Sequence, residues 1–395
     1  MGDLILAIDQ GSTSTRAVAF DRSLRPVAQA SRAITASYPR PGWVEHDPDE
    51  IFNSVVTTVA EVLAEVGGSP QIAAVGLANQ GETVVAWDNE TGRPLGPAIS
   101  WRCKRSHEIV DRLRAAGREP EVRSLTGLPL DPYFSASKLT WLLEEVPAVA
   151  SASRAGRLRF GTVDAWLTWR LSGVALTDPS TASRTQLLDI HRLDWSDDLL
   201  GLFGIPRFSL PRISPSVGSL GYFRHSAWRG ELPLRALVCD QQAALAGHGG
   251  FAPGALKATY GTGVFVLGNV GATLPPLSPE LLATVAWAFP GEPATYALDG
   301  GVFAAAATVN WLRDGLRLVD EADQLDRLAA EVPDAGGVWV LPALAGLGAP
   351  WWSPRSRGVI AGLTDAVGRA HLARATLAGI AHGVCDVVEA MARYL

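Results

Sequence analysis

The sequence predicts an α/β protein with a duplicated architecture, and three observations carry that prediction. Short apolar runs of strand type alternate with longer runs of helical period along much of the chain. Near the start, the run Leu4 to Ile8 ends in Asp9, passes through Gln10-Gly11-Ser12-Thr13-Ser14, and resumes as Ala17 to Phe20, closed by Asp21. The same layout returns as Lys257-Ala258-Thr259-Tyr260-Gly261-Thr262-Gly263-Val264-Phe265-Val266-Leu267. Two related turns about 250 residues apart suggest one phosphate loop in each half.

The elements follow in order. Asp47-Pro48-Asp49-Glu50 reads as a helix start, with acidic residues at the positive end of the dipole. Ile51, Val55, Val59 and Leu63 continue it at helical spacing. Ile72 to Leu77 and Thr83 to Trp87 read as strands, with Glu90-Thr91-Gly92-Arg93-Pro94 as a turn. After the aromatic turn Tyr133-Phe134, Leu139, Leu142, Leu143 and Val146 share a helix face, as do Val163, Trp166, Leu167 and Leu171 further on. The Pro- and Gly-rich stretch from Gly268 to Leu282 reads as a surface excursion, and the Ala-rich stretch from Gly301 to Leu318 as a helix. Gly346-Leu347-Gly348-Ala349-Pro350 lacks the third glycine of a nucleotide loop and reads as a packing turn. Arg369 to Leu395 is a long helical pattern with Leu372, Thr376, Ile380, Val384 and Val387 on one face.

A Gly-hydroxyl turn between strands can converge several N–H groups on an anion, and glycine permits the backbone angles this needs. Ser12, Thr13 and Ser14 add hydroxyl donors, and Asp9 supplies an oxygen suited to Mg²⁺ beside phosphates. Taken alone, the first turn fits a polar hairpin equally well; its repetition favours phosphate binding. Asp240-Gln241-Gln242 ends the apolar run Leu234 to Cys239 and precedes the helical Ala243-Ala244-Leu245-Ala246-Gly247. A carboxylate so placed serves as a helix cap and is equally suited to take a proton from an attacking hydroxyl. No Gly-x4-Gly-Lys-Ser/Thr loop occurs, which counts against a P-loop kinase.

Composition sets outer bounds. With 395 residues and 47% hydrophobic content, the chain has material for two or three sizeable cores. A net charge of −6 argues against nucleic acid or an acidic membrane surface as the main partner. An anion site must therefore be made locally. Cys103, Cys239 and Cys385 are too widely spaced for a zinc pattern or a disulfide framework. They read as buried small apolar residues in a reducing, cytoplasmic setting. No secretory signal and no membrane span are expected.

Several segments together resemble the FGGY family of carbohydrate kinases. They are AIDQGSTSTRAVAFD, GWVEHDPDEIF, GLPLDPYFSASKLTWLLEEV with Lys138 and Trp141 in place, TDPSTASRTQLLDIHRLDW, CDQQAALAGHG, ATYGTGVFVL and LPALAGLGAPWWSPRSRGVIAGLT. A second family signature runs from Gly358 through His371 to Leu377, with Ala378 where an acidic or amide residue is usual. The likeness covers nearly the whole chain. It implies an actin-like, ribonuclease-H-like duplicated fold with an interdomain cleft, its N-terminal domain over residues 1–245 and its C-terminal domain over 246–395. It also implies a second domain that stops short of the family's usual length, with part of the nucleotide contact beyond it.

The resemblance implies an ATP- and Mg²⁺-dependent kinase for a primary hydroxyl of a small polyol such as glycerol. Asp240 would be the base and Asp9 would organise the metal. Gly11, Ser12, Thr13, Ser14 and Arg16, with Gly261, Thr262 and Gly263, would hold the phosphates. Ala306 and Asn310 stand at the expected adenosine face, replacing a usual Gly and Gln. Glu82, Trp101, Tyr133, Asp240, Gln241 and Phe265 match the polyol contacts. Gly81 stands where the family usually has Arg, which removes a multi-donor group and is expected to enlarge the pocket. Two alternatives follow: a kinase for a four- or five-carbon polyol or ketose, or a truncated remnant that binds ligand without catalysis. Beyond ATP and the polyol, no nucleic-acid or membrane partner is expected; a homo-oligomer is compatible with the sequence.

Overall fold

A computed structural model describes residues 2–353 and 355–395. Two compact units emerge. The first comprises the chain through Ala244 together with Thr284–Tyr296, and the second comprises Leu245–Ala283 and Ala297–Leu395.

The first unit is built on a six-stranded mixed sheet. Its order is Val217–Phe223, Leu232–Cys239, Ile72–Asn79, Leu4–Gln10, Ser14–Phe20 and Pro26–Ala33. The three central strands run parallel, and the flanking pairs are antiparallel. Alternating burial along Leu4–Gln10 and Ser14–Phe20 puts Leu6, Ile8, Ala17 and Ala19 into the core. The helix Pro48–Val66 packs across Ser14–Phe20 and Pro26–Ala33. Asp47 caps it by accepting from the Asp49 N–H at 2.9 Å, and Ile51, Val55, Val59 and Leu63 are buried as their spacing predicts. Trp87 and Trp166 are fully buried beside it, and Trp166 Nε1 donates to the Pro48 carbonyl at 3.0 Å. The hairpin Thr284–Tyr296 is held to this unit by Val285 N to Ser183 Oγ (3.1 Å) and Ala288 N to Ser216 Oγ (3.0 Å).

The second unit contains the antiparallel strands Leu256–Tyr260 and Val264–Gly271, and most of the strand Thr295–Val302. The surface excursion is shorter than expected. The β-rich run from Val264 carries the strand to Gly271, and Gly268 pairs with Leu256 inside it. The Ala-rich helix is also shorter, covering Ala306–Asp314, because Gly301 and Val302 complete a buried strand. Gly346–Pro350 is a packing turn: Ala349 N donates to Gly301 O at 3.0 Å, and a Cβ at Gly348 would lie 2.0 Å from that same carbonyl.

The final helix, Arg369–Ala392, lies on the strand Trp339–Leu341 and the helix Gln324–Ala329. It buries Thr376, Ile380 and Val387 of its predicted face. Among the described residues it alone is long and apolar enough to cross a membrane by composition, yet it is an amphipathic helix of this unit. Cys103 and Cys239 are buried as expected. Cys385 is exposed, because it lies on the solvent side of this helix.

Candidate active site

Three parallel strands end together in the first unit. Gln10 on the first strand is level with Asn79, and Asn79 is level with Cys239. Asp9, Gln80, Glu82 and Asp240 are thereby gathered at the carboxyl edge of one sheet, where open α/β sheets bind ligands. Sequence alone could not give this register. It comes from long-range pairing of strands that are far apart in the chain.

Asp240 is the first residue inside the helix Asp240–Gly247, directly after the strand Leu232–Cys239, so it stands in the first helical turn rather than at the cap position before it. The Cys239 thiol donates to Asp240 Oδ1 at 3.7 Å. Burial pushes that thiol well above its ordinary pKa, so it stays protonated and remains a donor. Asp9 is exposed, yet the surrounding protein strips enough water to raise its pKa, and Arg16, its cross-strand partner, offsets part of the effect. Gln241 and Asp240 are both half-buried.

The first turn closes with Gly11 N donating to Ser14 O at 3.0 Å. The Ser12 hydroxyl does not point freely outward. It accepts from Trp101 Nε1 at 2.7 Å and donates to Gln80 Oε1 at 3.2 Å. Its contribution to an anion therefore falls to the backbone N–H, whereas Thr13 is exposed. Thr83 Oγ1 also donates to Gln80 Oε1 at 2.9 Å and accepts from the Trp101 N–H at 3.1 Å. Arg16 Nη2 is bonded to Gln29 Oε1 at 2.5 Å, so this guanidinium supports the strand pair behind the turn.

Trp101 meets Tyr133 edge to face, with ring centroids 5.5 Å apart. Tyr133 is fixed by its N–H to Asp131 Oδ1 (2.7 Å). Its carbonyl accepts from Lys138 Nζ at 2.6 Å, and the Phe134 carbonyl accepts from the same amine at 2.9 Å. Lys138 is fully buried, and burial lowers its pKa to about 7. The conspicuous lysine of the first signature is thus the pin under the aromatic wall. Trp141 has a similar supporting role: with Trp43 it flanks the Arg105 guanidinium, which pairs with Glu45 at 2.6 Å.

Glu82 is buried and accepts from Arg184 Nε at 2.7 Å. Arg184 was not singled out from the sequence, although it lies in the hydroxyl-rich segment TDPSTASRTQLLDI. Nor does Gly81 open a hole. A Cβ there would sit 2.8 Å from Cys239 Sγ and 3.6 Å from Arg184 Cγ, so the expected enlargement is filled by these two side chains.

The second turn lies in the second unit. Gly261 N donates to Gly263 O at 2.8 Å. The Ala305 and Ala307 N–H groups bond Thr262 O, and the Ala306 N–H bonds Gly261 O at 3.1 Å, tying the turn to the start of the helix Ala306–Asp314. Ala306 and Asn310 are exposed one helical turn apart, on one face. Phe265 is half-buried, its ring beside the Gly301 backbone. A Cβ at Gly263 would lie 2.4 Å from Val302 O, whereas one at Gly261 would meet nothing closer than 3.9 Å. Gly263 is required by packing, and Gly261 is not.

Comparison with known proteins gives the class: a kinase whose phosphoryl acceptor is an alcohol. The chain belongs to the FGGY family of carbohydrate kinases: the family's N-terminal domain matches residues 4–247 and its C-terminal domain residues 256–394. It is 48% identical over 392 residues to a glycerol kinase of Citrifermentans bemidjiense, covering 98% of this chain and 79% of that protein. Glycerol kinase 2 of Thermotoga maritima is 45% identical over 390 residues, covering 98% and 78%. The crystal structure of Plasmodium falciparum glycerol kinase with ADP superimposes with a TM-score of 0.94 at 31% identity, covering 99% of this chain and 79% of that one. The fold is accordingly the actin-like, ribonuclease-H-like one.

Proposed function

We propose that this kinase transfers the terminal phosphoryl group of ATP to a primary hydroxyl of glycerol, giving sn-glycerol 3-phosphate. The single observation that carries the reading is the convergence of Asp240, Glu82, Trp101 and Tyr133 around one sheet edge, combined with likeness to glycerol kinases over nearly the whole chain. Aromatic walls suit the C–H faces of a small polyol, and the carboxylates suit its hydroxyls.

In this reading Asp240 accepts the proton of the attacking hydroxyl. That oxygen bonds to the γ-phosphorus while the bond to the β–γ bridging oxygen breaks, and ADP leaves. In a loose phosphoryl-transfer transition state the proton departs late, so placement counts for more than basicity. Ser12, itself bonded to Gln80, fixes Trp101 by accepting from its indole N–H, and Lys138 fixes Tyr133 through its carbonyl. In each glycine turn the N–H groups other than those of Gly11 and Gly261, which close the turns, suit phosphate oxygens.

Asp9 is the residue that would hold Mg²⁺. Among the described residues no three acidic, His or Cys side chains cluster as a metal cage. One accessible carboxylate fits an ion that keeps most of its ligands from water and phosphate. When bound, that ion would neutralise charge on the transferring group. The cytoplasm, as the source of ATP, is the compartment this reading requires.

The test is a coupled assay of ADP release with glycerol. Asp240→Asn is expected to lower kcat by about 10²–10⁴-fold while glycerol still binds. A near-normal kcat in that variant would refute Asp240 as the base.

A further inference from the structure

Gly81 poses a problem that the pocket itself resolves. Its backbone is not in the left-handed region, so no conformational demand excludes a side chain there. Space does. The first atom of any side chain would fall 2.8 Å from Cys239 Sγ, and it would lie 3.6 and 3.8 Å from Arg184 Cγ and Cβ. Cys239 is buried, anchored by its N–H to Ser180 Oγ at 2.9 Å. Arg184 is buried too. It pairs with Glu82, and its guanidinium carbon lies 5.7 Å from the Tyr133 ring and 5.5 Å from the Phe134 ring. A buried guanidinium thus stands beside Gly81, against two of the residues assigned to the polyol.

We propose that Arg184 is a specificity-determining residue of the acceptor pocket, reading a substrate hydroxyl together with Glu82, and that Cys239 holds it in register by filling the space a side chain at position 81 would take. The pocket is rebuilt around a different guanidinium rather than widened. An Arg at 81 would require the Cys239 thiol to move from its present position. The acceptor class remains a small vicinal polyol, because the volume at Gly81 is occupied. This inference rests on the proposed glycerol kinase reading.

Two sets of variants test it in the full chain. Arg184→Gln removes the charge and keeps an amide. The substrates are glycerol and propane-1,3-diol, which lacks the middle hydroxyl, and the readout is the ratio of their kcat/KM values. A hydrogen bond to a charged group is worth enough that the ratio is expected to fall about tenfold or more in Arg184→Gln, with KM for ATP unchanged. Arg184→Lys is expected to recover part of the ratio. If Arg184 served only the fold, both substrates would suffer equally and the ratio would stay fixed, which overturns the proposal.

The second set is Gly81→Arg, Cys239→Gly and the double variant. Gly81→Arg alone is expected to raise KM for glycerol at least tenfold, and the double variant to bring it back to within about threefold of the parent. Additive losses in the double variant overturn the steric exchange. Parent enzyme inactive on glycerol, yet active on another alcohol, would overturn the glycerol reading instead. The Gly81–Cys239 coupling would then still be measurable with that alcohol. Equilibrium binding of glycerol and propane-1,3-diol, followed by tryptophan fluorescence, repeats the comparison without turnover.

Discussion

Replacing Lys138 by Met tests whether the aromatic wall rests on this buried amine. Lys138 is fully enclosed, and Nζ donates to the carbonyls of Tyr133 and Phe134 at 2.6 and 2.9 Å. Burial lowers its pKa from 10.5 to about 7, with Glu82 the largest opposing influence. A neutral amine still has the two N–H groups these carbonyls need. In the unfolded chain the amine binds its proton up to pH 10.5, whereas in the folded chain it releases it near pH 7. The unfolded state therefore binds more protons in that window, and Lys138 adds stability as pH rises from 7 to 10.5. At about 1.36 kcal/mol per pKa unit the ceiling is roughly 5 kcal/mol. Lys138→Met removes the titration and two hydrogen bonds, each worth about 0.5–1.5 kcal/mol net. The measurement is the urea midpoint of both proteins between pH 7 and 10. The parent is expected to gain on the variant as pH rises, and the variant to show a raised KM for glycerol because Tyr133 loses its pin. A stability difference flat across that range, with KM unchanged, would refute both the titration and the supporting role.

Other outcomes follow from single sites. Asp9→Ala is expected to raise the Mg²⁺ concentration needed for half-maximal rate and to lower kcat; an unchanged Mg²⁺ titration would remove Asp9 from the metal site. Gly261→Val should leave the fold intact, since a Cβ there meets nothing within 3.9 Å, but raise KM for ATP by obstructing backbone approach to phosphate. Equal KM for ATP in both proteins would show that this turn does not touch the nucleotide. Asp164 is buried with its pKa raised to about 7, mainly by burial, against hydrogen bonds from Thr162 and Thr177. The folded state then holds a proton that the unfolded state releases from pH 3.8 upward, so this group costs stability as pH rises from about 4 to 7. Asp164→Asn should gain on the parent over that window in denaturation midpoints, and a constant difference would contradict the raised pKa.

Local grammar made much of the first unit legible. The strand-turn-strand of Leu4 to Phe20, the Asp47 cap and the helically spaced Ile51, Val55, Val59 and Leu63 all depend on neighbours within a few residues, and the structure follows them. The errors came where periodicity lacked a boundary signal. Val264 to Gly271 contains a glycine that reads as a break, yet Gly268 sits in a paired strand where a side chain would strike Leu256. The Ala-rich run after Gly301 carries helix propensity, but Gly301 and Val302 are held in a buried strand by tertiary pairing. Propensity yielded to packing in both places.

The site shows a sharper limit. Asp9, Asp240 and the two glycine turns stand out in the sequence because strand ends and turn chemistry are local. Arg184 does not, since what makes it matter is Glu82, far away in the chain, and the side chain that position 81 lacks. The absent arginine at 81 is visible as a missing donor, but the sequence does not show that Cys239 has taken its room. Reading Gly81 as a cavity treats the pocket as fixed walls with one piece removed. Protein interiors are close-packed, so a deletion in one strand is answered by a side chain from another. The volume left by a small residue therefore predicts a neighbour before it predicts a larger ligand. For this pocket the neighbours are a thiol that keeps its proton and a guanidinium already paired to Glu82.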